Sequence, residues 1–162
     1  MKQYGRRLLL SGFTLIELVI VITIIGILSA IAFSRYIDIQ TQARIAKAEA
    51  FYGTIVTADN LAKAVCVLDV SGVSPSPTCT ATGGTANMSG VSVDMVNEYP
   101  AATLTGIIAA TQINPAIDQI IVNPGNPLTI DIVGGTTPNC RITYTEAVTG
   151  SSPVVTLDTS GC

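Results

Sequence analysis

The sequence predicts an α+β fold: one long N-terminal α-helix whose C-terminal half packs on a small antiparallel β-sheet, stapled by two disulfides. Three observations carry this. From Phe13 to about Leu68 the chain has no proline, and only Gly26 and Gly53 interrupt it. Beyond residue 117, short β-branched segments alternate with turn-forming clusters. Finally, four cysteines stand in a chain without histidine.

The helix has two different halves. From Phe13 to Phe33 the only charged residue is Glu17, and this apolar run is about as long as a helix that crosses a bilayer. From Arg35 onward charges appear, while Ile39, Ala43, Ala46, Ala50, Thr54, Leu61, Val65 and Leu68 recur near helical spacing. That stripe is expected to face the sheet, with Asp38, Arg44, Lys47, Asp59 and Lys63 largely off it. At 1.5 Å per residue the whole helix would run on the order of 80 Å. A compact soluble domain has little use for its first half.

Residues 69–90 are dense in Ser, Thr, Gly and Pro and are expected to form an exposed loop tied down by Cys79. After Tyr99-Pro100, "AATLTGIIAATQI" predicts a short helix. Strands are expected in "DQIIVN", "PLTIDIVG", "CRITYTEAV" and "PVVTLDT", separated by "NPGNP", "GGTTPN" and "TGSSP". Their apolar face, Ile130, Ile132, Ile142, Tyr144, Val155 and Leu157, would lie on the helix. Only 5% of residues are aromatic and there is no Trp, so the core must be aliphatic.

The cysteines are Cys66, Cys79, Cys140 and Cys162. No CxxC pair exists, and without histidine a zinc site would need all four thiolates at irregular spacing. Two disulfides are expected, in an oxidising compartment. Of the three connectivities, Cys66–Cys79 with Cys140–Cys162 closes the two shortest loops. The missing histidine also removes Ser-His and Cys-His nucleophile pairs. Asp94, Glu98, Asp118, Asp131, Glu146 and Asp158 form no acid–base motif, and most read as solvated. "DTSGC" offers too few oxygens for calcium, and the glycine pairs lack the lysine of a phosphate loop. No catalytic residue, cofactor or metal is expected. Taking the leader cations Lys2, Arg6 and Arg7 from a net charge of −3 leaves −6, which argues against a general grip on nucleic acid.

The N-terminus, "MKQYGRRLLLSG", is basic and ends in small residues that precede the apolar run instead of following it, as they do in an ordinary secretory signal. Cleavage after Gly12 would remove residues 1–12 and keep the apolar segment. Arg6 and Arg7 favour a cytoplasmic N-terminus and an exported remainder. Glu17 is then the anomaly. A carboxylate at bilayer depth costs about 2.5–3.5 kcal/mol, and an amine newly exposed at Phe13, on this chain or a neighbour, would offset it. Such a pair would fix the stagger between chains.

Gly12 followed by "FTLIELVIVITIIGILSAIA" resembles the start of type IV pilins and pseudopilins. The resemblance implies a pilin fold and division into a leader (1–12), a membrane and filament-core half-helix (13–34) and an exported head (35–162). Within that head it implies helix over 35–68, loop over 69–90, then short helix and sheet over 91–162. It implies prepilin-peptidase cleavage between Gly12 and Phe13, N-methylation of Phe13, and Glu17 as the assembly glutamate. It further implies an inner-membrane precursor, pilus assembly machinery as partner, and a homo-oligomeric extracellular filament for adhesion, motility or surface attachment. Gly26 matches a glycine common in the family's helix. Ser34 departs from a proline found in many type IVa pilins, so a straighter helix is expected there. "NEYPAATLTGIIAA" and "YIDIQTQARIAKAEA" are similar to pilins of the mannose-sensitive haemagglutinin group. Two other readings stay open: a pseudopilin or minor pilin of a secretion or DNA-uptake system, and a monomeric signal-anchored binding domain.

Overall fold

A computed structural model describes residues 12–73 and 78–162. The proposed leader lies outside the described residues except for Gly12. The chain divides into two compact units, one through Gln40 and one from Thr41 to Cys162. Helix α1, Leu15–Val70, contributes to both.

In the first unit every side chain from Gly12 to Ile39 is exposed. Helical backbone satisfies its own hydrogen bonds, as an apolar solvent requires. Two hydroxyls do the same: Thr23 Oγ1 donates to the Ile20 carbonyl at 2.8 Å and Ser34 Oγ to the Ile31 carbonyl at 3.0 Å. α1 continues through Ser34 without interruption, because serine retains the N–H that proline lacks.

The second unit holds two four-stranded antiparallel meanders where the sequence predicts one sheet. The first comprises β1 (Cys79–Thr80), β2 (Gly83–Met88), β3 (Val91–Val96) and β4 (Tyr99–Pro100). The second comprises β5 (Ile120–Asn123), β6 (Leu128–Ile132), β7 (Arg141–Thr145) and β8 (Val154–Asp158). The 69–90 segment is therefore not all loop. Ala86 and Met88 alternate inward on β2, as do Val93 and Met95 on β3. Ser89 and Gly90, both at positive φ, make the two-residue turn between them. Between the sheets, Leu104–Ile108 winds more widely than an α-helix and runs into the single turn α2, Ala109–Thr111. Gly106 is required there, since a Cβ would collide with the Ala101 backbone.

The packed face of α1 also differs from expectation. Ala48, Ile55, Ala58, Asp59, Ala62 and Cys66 are buried. Ala43, Ala46, Ala50, Thr54, Leu61 and Leu68 are exposed instead. Three alanines let the sheets approach closely, a signal that hydropathy ranks below Leu61 or Leu68. Ala48 and Ile55 pack with Leu128, Ile130, Ile132, Ile142 and Tyr144 of the second sheet, with Val155 and Leu157 at the margin. Ala58, Ala62 and Cys66 pack with Ala86, Met88, Val93 and Met95 of the first. Cys66 is bonded to Cys79 and Cys140 to Cys162.

Two carboxylates are buried among the described residues. Asp131 on β6 faces Arg141 on β7, which donates from Nε and, at 2.9 Å, from Nη2, while Asn123 Nδ2 donates to Asp131 Oδ2 at 2.9 Å. The guanidinium holds the Asp131 carboxyl below its usual range. Asp59 has no such partner. The Tyr144 hydroxyl lies 3.0 Å from Asp59 Oδ1 and 2.8 Å from the Pro100 carbonyl. That hydroxyl has one hydrogen for two acceptors. Shared between the Asp59 carboxyl, to which it donates, and the Pro100 carbonyl, the Tyr144 hydroxyl joins α1 to both sheets.

Burial pushes the Asp59 carboxyl up to about 6, against the opposing pulls of the Tyr144 hydrogen bond and of Lys63. Between an unfolded value near 3.8 and this folded value the native state binds the extra proton, so stability falls as pH rises through that window. Asp59→Asn keeps a donor for Tyr144 and cannot ionise. Thermal denaturation of the full chain in detergent should show the variant flat from pH 4 to 7 and more stable than the parent at pH 7.

Candidate functional site

The sequence singles out the start of α1, and there Gly12, Phe13 and Glu17 lie together at the mouth of the helix. Gly12 and Phe13 are exposed and lie outside the helix, ahead of its first residue, Leu15. Among the described residues nothing lies within 4 Å of where a Gly12 Cβ would stand.

Thr14 is the residue that sequence reasoning misses. Its backbone N–H donates to Glu17 Oε2 at 2.9 Å and its hydroxyl donates to the same oxygen at 2.7 Å. In return the Glu17 N–H faces Thr14 Oγ1 at 3.3 Å, and the Leu18 N–H donates to the Thr14 carbonyl at 3.3 Å. This is a capping box, in which Thr at the N-cap and Glu three residues later satisfy each other's orphan donors. The T-x-x-E spacing before an apolar run is the available signal. The carboxylate also sits at the positive end of the helix dipole. Both Thr14 bonds end on Oε2, so among the described residues Oε1 accepts no hydrogen bond.

Outside this site Asp158, Glu146 and Asp118 each accept hydrogen bonds that hold the backbone. Asp158 Oδ1 accepts from the Ser160 N–H and hydroxyl, which turns the chain after β8. Glu146 accepts from the Ala102 N–H and Asp118 from the Asn114 N–H. Asp131 departs from the solvated expectation through its pairing with Arg141. Among the described residues no three His, Cys, Asp or Glu side chains converge as metal ligands.

Residues 11–33 match the prokaryotic N-terminal methylation motif. Over 69 residues the chain is 46% identical to the type IV narrow pilus major component PilA5 of Thermus thermophilus. That match covers 43% of this chain and 53% of the relative, so the chain spans about half the length of the curated protein it matches. No solved structure gives a significant match.

Replacing Thr14 by Ala should cost about 1 kcal/mol of helix-start stability. Amide exchange in detergent micelles should report it as a roughly fivefold faster exchange at Glu17 and Leu18. Thr14→Ser should leave the rates unchanged.

Proposed function

We propose that this chain, whose N-terminal motif is that of the type IV pilins and whose fold is α+β with a long leading helix, is the structural subunit of a type IV pilus. The observation that carries the proposal is the junction itself: Gly12-Phe13 ahead of an apolar helix headed by a capped carboxylate, within the residues that match the methylation motif. The name of the Thermus relative favours a major subunit.

The precursor sits in the inner membrane by the exposed apolar half of α1. Prepilin peptidase cuts between Gly12 and Phe13, and Phe13 is N-methylated. Gly12 has no internal steric demand, so its small size serves the peptidase. The new amine is a cation within reach of a neighbour's Glu17. Because the cap uses only Oε2, Oε1 is open to that ammonium without the cap breaking. The pair neutralises both charges as they leave the membrane, and removing either partner strands the other.

The assembly machinery then extracts subunits into a helical fibre through a heterologous interface that does not close. The exposed stripe of Ala43, Ala46, Ala50, Thr54 and Leu61 supplies an apolar face on each head for neighbouring copies. The role is structural, not catalytic, and the fibre serves attachment or motility outside the cell.

Intact-mass analysis of native protein should show loss of residues 1–12 and one added methyl on Phe13. Glu17→Ala and Glu17→Gln should both be processed yet yield few fibres by electron microscopy. Glutamine retains the cap acceptor but not the charge, so it separates pairing from helix capping. Parental fibre yield from Glu17→Gln would overturn the charge-pair assignment.

A further inference from the structure

Four cations stand on α1, and three of them are engaged within the chain. Arg44 Nε donates to the Cys162 carbonyl, Lys47 Nζ to the Gln119 carbonyl at 3.2 Å, and Lys63 Nζ to the Tyr99 hydroxyl. Arg35 is the exception. It is exposed, and no hydrogen bond or ion pair joins it to another described residue. Asp38, three positions on, is exposed and likewise without a partner among the described residues. The two do not pair with each other, and cation before anion is the less favourable order for a pair within one helix.

Their placement repeats that of the helix start. Once residues 1–12 are removed, the chain carries a cation at the Phe13 amine and an anion at Glu17. Arg35 follows Phe13 by 22 positions and Asp38 follows Glu17 by 21, each close to six turns of helix. α1 runs from Leu15 past Ser34 without interruption, so those turns return each charge to nearly the same face. The plus-then-minus pattern of the N-terminus therefore recurs just after the apolar run ends at Phe33.

We propose that Arg35 pairs with Asp38 of a second copy of this chain, in the register that brings the terminal amine to a neighbour's Glu17. The proposal rests on the pilus reading and adds a second charged contact to that interface. A neighbour shifted by four residues, about 6 Å, brings its Glu17 beside Phe13. The same shift brings its Asp38 within one residue of Arg35, about 1.5 Å along the axis, which the long arginine side chain spans. Unshifted neighbours would oppose amine to amine and Arg35 to Arg35, so both rows of charge reject that register. Glu49 is another exposed acid on α1, but it would require a shift of 14 residues, which the Glu17 pair does not allow. The two rows flank the apolar segment. Two charged contacts fix the crossing of neighbouring helices as well as their stagger, where one fixes the stagger alone.

The test expresses Arg35→Asp and Asp38→Arg, singly and as two chains in one cell, with the parental chain deleted. Intact mass reads processing, and electron microscopy of sheared material reads fibres. Each variant alone places like charges in the row and should be processed normally, with fibre yield reduced about tenfold or more. Expressed together, the two chains should restore fibres close to the parental yield, because the row then alternates in sign between neighbours. A pair within one helix would not be restored this way, since each chain keeps its like charges. Arg35→Asp together with Glu49→Arg should not restore fibres. Parental fibre yield from either single variant, no restoration by the two chains together, or equal restoration by Glu49→Arg would overturn the pair and leave the pilus reading standing. Absence of fibres from the parental chain would overturn both.

Discussion

One helix has to be stable against two different surroundings, and that constraint orders the rest of the molecule. The first part of α1 exposes every side chain from its start to Ile39, an apolar surface that needs an apolar surrounding. Its backbone must be satisfied internally, and the hydroxyls of Thr23 and Ser34 bond back to the preceding turn. The later part instead presents Ala48, Ala58 and Ala62 as a shallow face on which two sheets settle. No proline stands in α1.

The head compensates for a core with little aromatic bulk. Each sheet is a short meander, and neither buries much by itself. The disulfides close loops with sequence separations of 13 and 22, one from α1 to β1 and the other from the start of β7 to Cys162. Each is worth about 3 kcal/mol by loop closure. Asp59 and Tyr144 do what packing of small residues cannot: a polar contact fixes how α1 is rotated beneath both sheets. Registry is the best-attested use of buried polar groups.

The parts legible in the sequence are those with strong local signals. The apolar run, the four β-branched strands of the second sheet and the cysteine pairing require no tertiary knowledge. The first sheet is hidden because β2 is built from Gly, Thr, Ala, Asn and a single Met, whose composition resembles a loop. Its alternation shows only when Ala86 and Met88 are read together with Val93 and Met95 across Ser89-Gly90. The rotation of α1 escapes hydropathy for a related reason. Hydropathy favours Leu61 and Leu68, while close approach favours alanine, and burial follows close approach. The carboxylate of Asp59 enters the core because Tyr144, 85 residues away, receives it there.

Glu17 is conspicuous in the sequence as a charge, and a charge invites the search for an opposite charge. The nearer partner is Thr14, which offers two donors to one oxygen. This changes what the glutamate requires of assembly. An uncapped carboxylate would be desolvated until a neighbour arrived, and every subunit waiting in the bilayer would bear that cost. A capped carboxylate waits in a satisfied geometry, at the helix end whose dipole favours it. In the proposed assembly a neighbour's amine would add a charge-assisted bond at Oε1 instead of exchanging one partner for another, and such bonds are about twice as strong as neutral ones. The cap thereby holds the carboxylate in one orientation, which would lower the ordering cost of the proposed pair.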